Sequence, residues 1–421
     1  MSKKTKLWSV LAAGLIFSLL LSACGGAPPA ATEAPKPAAT EAPAQPAATE
    51  APAAGEGKIV IGAALCLTGI QAPLDEPAVR GAQLAVEEIN KKGGVLGKQL
   101  ELINLDGKSD PVTVGNVAVQ LIDQGVNAMI APSDFDFGGP ASREAQKAGL
   151  VGISPAASSP LYGSEALGDK QFTMSMWNTT MGAAAAELAY KQKGWRTVYV
   201  VTDDFIDYTK SLSRYFIEHF KTLGGEVFFE DSYTQGAADF SAQLARIKAL
   251  PEQPDFFYVS SYMPDLGLII RTMREAGLKQ PIVGGDSYDD PGLFQAVGPD
   301  YGNEIYFATH TWVSPDTSPQ MAEFLKAYEA KYGGPPDAMW VATGWDVVHL
   351  LVGAMEKAGS TDGAAMAKAL EDNTWDLLTG KLDYEPAAKG HETHKEVAMV
   401  QLTAGKPAFL GWLLPASQPP P

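Results

Sequence analysis

Lys58-Ile59-Val60-Ile61-Gly62-Ala63-Ala64-Leu65 decides the fold. The run is apolar without polar alternation, so it predicts a strand buried on both faces. Pro77 to Lys92 follows with Val79, Ala82, Val86 and Ile89 on one helical face, and Gly93-Gly94 as its stop. Leu100–Leu105 predicts a second strand. Asp110-Pro111 predicts a helix cap with a first-turn proline, the helix reaching Gln124, and Asn127–Ala131 the next strand. The unit recurs: strand Arg196–Thr202, helix Tyr208–Leu223 stopped by Gly224-Gly225, strand Glu226–Tyr233, capped helix Asp239–Ala249, strand Asp255–Ser260. Alternation of this kind means parallel sheets covered by helices, and two similar halves mean two lobes. The expected class is therefore α/β with two lobes, each a parallel sheet flanked by helices, and a ligand cleft between them at the strand C-termini.

Outside this core the chain reads differently. Residues 25–57 hold seven prolines and thirteen alanines, and Ala-Ala-Thr-Glu-Ala-Pro starts at Ala30, Ala38 and Ala47. Such a segment cannot bury a core and is expected to be a disordered tether. Before it, Lys3, Lys4 and Lys6 precede an apolar run from Leu7 to Leu21, the pattern of a secretory leader rather than a spanning helix. Leu21-Ser22-Ala23-Cys24-Gly25 resembles the bacterial lipoprotein cleavage motif. That resemblance implies removal of residues 1–23, lipidation of Cys24, and a chain held outside the cytoplasm at the membrane. Cys66 is the only other cysteine, so the mature chain has no intramolecular disulfide, and its apolar context makes it a small buried hydrophobe. The net charge is −17, and loss of the three leader lysines makes it −20. Bulk electrostatics therefore favour neither nucleic acid nor anionic lipid.

Leu67-Thr68-Gly69, Gly81-Ala82-Gln83-Leu84-Ala85, Glu88-Ile89-Asn90 with Gly93-Gly94, Gly149 to Pro155 with Ala156-Ala157-Ser158-Ser159-Pro160, and Asp239-Phe240-Ser241 form an ordered set. The set resembles the leucine/isoleucine/valine-binding proteins of ABC transporters. The resemblance covers nearly all of the chain after Lys58. It implies a type I periplasmic-binding fold with three crossovers, expected near Trp177, His310 and Asp383. The lobes are then residues 58–177 plus 310–383 and residues 178–309 plus 384–415, with 416–421 a tail.

The same resemblance implies site residues. Ala157 and Ser158 would offer a backbone group and a hydroxyl to a ligand carboxylate; a serine-rich turn is the alternative. The family usually carries a serine-rich stretch where this sequence has Asp134-Phe135-Asp136-Phe137-Gly138-Gly139. Two carboxylates would repel an anionic ligand group by about 4 kcal/mol per close pair at intermediate dielectric. Either they point away, or the ligand is not a simple α-amino acid. Phe135 and Phe137 alternate with them, so one set faces the cleft, and Gly138 and Gly139 are expected to expose backbone N–H groups. Tyr208 would close over the ligand, the Tyr262 hydroxyl would reach it across the cleft, and Asp286 would pair with its ammonium. Trp177 and Trp312 would line the cleft or pack the hinges.

No catalytic machinery stands out. His391-Glu392-Thr393-His394 lacks the spacing of a helical zinc site and reads as a solvated loop; no nucleophile elbow or phosphate loop occurs. The reading is a solute-binding protein of an ABC importer. It needs no metal or cofactor, works as a monomer with permease subunits, and takes a branched-chain or other apolar amino acid by hinge closure. Aromatic acids, amides, urea-like compounds and cationic or amide-rich ligands are the alternatives, as is a sensory ligand-binding role for the same fold.

Overall fold

The computed structural model describes residues 57–237 and 239–421. The leader, Cys24 and nearly all of the tether lie outside the described residues.

The first sheet holds β1 (Lys58–Ala63), β2 (Gln99–Asn104), β3 (Ala128–Ile130), β4 (Gly152–Ser154) and β5 (Gln171–Thr173), all parallel in the order β2-β1-β3-β4-β5. The second holds β6 (Thr197–Asp203), β7 (Glu226–Tyr233), β8 (Phe256–Ser260), β9 (Ile282–Gly284) and β10 (Ile305–Thr309) in the order β7-β6-β8-β9-β10. The two orders are the same, as the sequence repeat implies. β11 (Trp375–Leu377), β12 (Gly380–Tyr384) and β13 (Thr393–His394) form a small antiparallel sheet. β14 (Val397–Thr403) and β15 (Lys406–Leu413) then return antiparallel to β10 and extend the second sheet. Burial follows position. The central strands β8 and β10 are buried throughout, whereas edge strand β15 alternates between exposed and half-buried residues up to its buried last residue, Leu413.

Helices α1 (Ala72–Lys91), α2 (Pro111–Asp123), α3 (Phe135–Lys147) and α4 (Ser164–Leu167) serve the first sheet. α5 (Asn178–Glu187), α6 (Asp207–Thr222), α7 (Ser241–Lys248), α8 (Asp265–Glu275) and α9 (Pro291–Tyr301) serve the second. α10 (Pro319–Tyr332), α11 (Trp340–Ala358) and α12 (Gly363–Glu371) come back to the first lobe. Several caps follow the sequence: Asp110 accepts from the Thr113 amide and Asp290 from that of Gly292. α1 and α11 cross at small residues. A Cβ on Gly81 would stand 1.9 Å from the Val341 carbonyl oxygen, and one on Gly344 1.8 Å from that of Ala78.

Four expectations need correction. α1 begins at Ala72, not Pro77, because Pro73 supplies the first-turn proline and Pro77 falls inside the helix. Phe135–Gly139 is not a loop but the first turn of α3, with Asp134 at the N-cap position. The third crossover is not near Asp383. β13 pairs with β12, Tyr384 opposite Thr393, so the chain stays on the first lobe to His394 and crosses at Lys395 and Glu396. His391 is not solvated: it is 1% exposed and stacks on Phe172 at 4.1 Å. Its ring nitrogens face the Gln171 carbonyl and Glu371.

Candidate functional site

The loops leaving β3 and β4 meet those leaving β6, β8 and β9 at the C-terminal ends of both sheets, where open α/β folds place ligands. Asp286 sits just past β9 and is 3% exposed. Its Oδ1 accepts from the Tyr208 hydroxyl at 2.6 Å, and its Oδ2 lies 2.9 Å from His310 Nε2. Burial pushes the His310 imidazole pKa down, opposed by Asp286. Tyr208 lies in the first turn of α6 and its ring packs on Tyr262 at 5.2 Å. Asn178 fixes that turn by donating to the Tyr208 carbonyl at 3.1 Å.

Tyr262 reaches across to the first lobe, where its hydroxyl donates to Asp134 Oδ2 at 2.8 Å. Gln71 Nε2 donates to the same oxygen at 2.6 Å. Asp134 is 2% exposed, and burial raises its carboxyl to about 7, with Asp286 and Asp136 adding to the effect. Asp136 makes a second link between the lobes, accepting from the Asp207 amide at 2.9 Å. The Ser159 hydroxyl donates to the Asp207 carboxylate. The two acids, expected either to point away or to mark a ligand other than a simple α-amino acid, both stand at the interface of the lobes.

Phe137, Leu74, Ala156, Tyr208, Tyr262 and Trp340 belong to one apolar cluster drawn from both lobes. Ser158 is 1% exposed, its Oγ has no hydrogen-bond partner, and its carbonyl accepts from the Asn178 amide at 2.6 Å. Such a buried hydroxyl is uncommon. The structure thus brings Phe137, Ser158, Tyr208, Tyr262 and Asp286 together. It does not bring Phe135, Gly138 and Ala157 with them. Phe135 packs on the other cluster of the first lobe, beside the Arg143 guanidinium. The Gly138 N–H is taken by the Asp134 carbonyl at 2.6 Å, as helix geometry requires. Ala157 faces that same other cluster, and its N–H goes to Ser154 Oγ at 3.0 Å. Trp312 stacks on Phe409 of β15, and Trp177 is buried at the start of α5.

Gln71, His310 and Trp340 escaped the sequence reading. Gln71 follows the Leu67-Thr68-Gly69 loop, and His310 falls where a crossover was expected. Nothing in either residue type announces a partner on another element. Between the lobes a crevice of 720 Å³ lies against Ile70 and Pro73 on one side and Phe205, Gln235, Met263 and Asp290 on the other.

A family model described as periplasmic binding protein matches residues 58–407. The chain belongs to this family. Membership makes it an extracytoplasmic solute-binding protein, with the two-lobe α/β fold described above. It is 30% identical to the Leu/Ile/Val-binding protein BraC3 of Rhizobium johnstonii over 353 residues, covering 83% of this chain and 92% of the relative. Among solved structures, the leucine-binding protein LivK of Thermotoga maritima superposes with a TM-score of 0.77 at 29% identity, covering 85% of this chain and 99% of that one. The branched-chain amino acid binding protein LivJ of Streptococcus pneumoniae, in complex with isoleucine, gives 0.76 at 28% identity, covering 86% and 100%.

Proposed function

We propose that this periplasmic binding protein captures an amino acid of branched-chain size between its lobes and presents it to the permease of an ABC importer. The reading is carried by Asp286, a buried carboxylate at a strand end beside an apolar wall of Phe137, Ala156 and Trp340. Its partners Tyr208 and His310 would orient it toward a ligand ammonium, a charge-assisted bond contributing roughly 1.5–3 kcal/mol. The unpartnered Ser158 hydroxyl suits the carboxylate of the same ligand. The similarity to leucine- and isoleucine-binding relatives supports the size and class of the ligand. Closure would follow a hinge motion about the three crossovers. The chain acts as a monomer, without catalysis, and the lipid on Cys24 holds it at the membrane.

Thermal unfolding of the purified, refolded chain against the amino acids tests this. Ligand at about 100 times its dissociation constant adds about 2.7 kcal/mol, a visible shift. Asp286→Ala is expected to weaken the amino acid at least tenfold. Unchanged affinity removes Asp286 from the site. Release of the Cys24→Ser chain from the membrane fraction tests the anchor.

A further inference from the structure

Gln71 and Asp134 both occupy helix N-cap positions, of α1 and α3, and neither side chain caps its helix. Both turn instead to the interface of the lobes, where Gln71 is 0% and Asp134 2% exposed. When Asp134 is ionised it fixes the Gln71 amide, since only Nε2 can then donate to it. Gln71 Oε1 is left buried with no hydrogen-bond partner. On Asp134, the Gln71 amide and the Tyr262 hydroxyl converge on Oδ2. Oδ1 has no protein donor among the described residues. Gln71 Oε1 is thus a fully buried acceptor without a donor, in a protein interior where such groups are normally satisfied, and its hydrogen-bond partner Asp134 carries a second oxygen with no protein donor. Among the described residues no Lys or Arg pairs with Asp134, and Asp286 and Asp136 act on its charge.

The pair lies close to the ammonium position. Tyr262, which holds Asp134, packs on Tyr208, which holds Asp286. The charge of Asp286 acts on Asp134, so the two carboxyls share one neighbourhood. The wall around this point is apolar, with Leu74 and Phe137 on the first lobe.

We propose that Gln71 Oε1 and Asp134 Oδ1 form a side-chain subsite for a hydrogen-bond donor, so that the ligand is an amino acid of branched-chain size carrying a hydroxyl or primary amide. The proposal rests on the amino-acid reading above and narrows it. A purely aliphatic side chain would leave Gln71 Oε1 buried and unpaired, and sites built to hydrogen-bond a ligand group discriminate strongly against analogues that lack it.

Isosteric pairs test it: threonine against valine, asparagine against leucine, with alanine as a donor-free reference, titrated by calorimetry into the refolded chain. Threonine and asparagine are expected to bind at least tenfold more tightly than their isosteres. Asp134→Leu and Gln71→Met, made separately, are expected to bring both affinity ratios to one or below. If valine and leucine bind as well as their partners, or if the ratios survive in both variants, the subsite is refuted while the amino-acid reading stands. If alanine and all four isosteres fail to bind, the amino-acid reading itself falls, and the subsite with it.

Discussion

Lys395 offers a direct test of how the hinge is built. It is 3% exposed at the third crossover, and its Nζ donates to the Met174 carbonyl of the first crossover at 3.1 Å and to Thr379 Oγ1 at 2.6 Å. Thr379 passes the contact on, donating to Asp346 Oδ2 at 2.8 Å. Thr311, on the second crossover, donates to the adjacent Leu378 carbonyl at 3.1 Å. All three passages between the lobes therefore converge on one buried polar group. Burial lowers the Lys395 ammonium from 10.5 to about 8, against the pull of Asp346. At 1.36 kcal/mol per unit this is about 3 kcal/mol lost in burying the charge. Lys395→Met removes that loss but strands the Asp346 carboxylate without a cation, and breaking a buried pair from one side costs about 3–5 kcal/mol. The single variant should thus be less stable by up to a few kcal/mol at pH 7. Adding Asp346→Asn to it should recover much of the loss, with a coupling energy of about 2 kcal/mol in a double-mutant cycle read by urea unfolding. The wild-type chain should also gain on the Lys395→Met variant between about pH 8 and 10, where the unfolded lysine still binds a proton that the folded one has released. Additivity within about 0.5 kcal/mol would show that Lys395 and Asp346 do not act as one polar group.

Three other outcomes follow from the geometry. Gly344→Ala sets a methyl 1.8 Å from the Ala78 carbonyl oxygen, so α1 and α11 must part; a loss of several kcal/mol is expected in urea unfolding, and a neutral substitution would contradict the close crossing. Asp136→Ala removes the acceptor of the Asp207 amide, so the ligand-free chain should show a larger radius of gyration in solution scattering, and an unchanged radius would deny that this bond helps hold the lobes together. Burial raises Asp75, Asp134 and Asp289 to about 7 and Asp203 to about 6, while unfolded aspartates titrate near 3.9. Between those values the folded chain binds more protons, so their contribution falls as pH rises from about 4 to about 7. His219, His310 and His349 are lowered by burial and oppose this below about 6.5. The chain should melt higher near pH 6 than at pH 8, and Asp134→Asn should flatten that slope; a melting temperature climbing steadily to pH 8 would contradict the buried acids.

What the sequence disclosed, it disclosed through local physics. Apolar runs such as Ile59–Leu65 mark central strands because both their faces are covered. Asp110-Pro111 and Asp290-Pro291 mark helix starts because the cap bond lies within three residues. The doubled order of helix, Gly-Gly, strand, helix and strand reveals two lobes because each copy must bury its own sheet. The third crossover was misplaced because Tyr384 of β12 and His391, just before β13, both pack on Phe172, far away in the chain. Phe135–Gly139 was misread because Gly138-Gly139-Pro140 has the composition of a turn. In α3 the same Gly138 is needed for close packing, since a Cβ there would stand 2.6 Å from the Pro132 carbonyl oxygen.

The candidate site divides along the same line. Asp286, Tyr208 and Tyr262 were legible through the family resemblance, at positions after strand ends where this architecture places a ligand. Their partners were not, because a partner is chosen by the meeting of lobes and leaves no trace in local composition. Asp134 is the sharpest case. Its residue type and its place just before a helix both fit an N-cap, and Asp110, Asp290 and Asp362 do act so in this chain. Asp134 gives up that bond and accepts from Tyr262 on the opposite lobe instead. A capping bond is worth about 1 kcal/mol to the helix it starts. An acid that forgoes it, and is buried beside two other carboxylates, is held there by the contact between lobes. That contact is where this chain departs from the serine-rich pattern it otherwise resembles, and where its choice of ligand is to be sought.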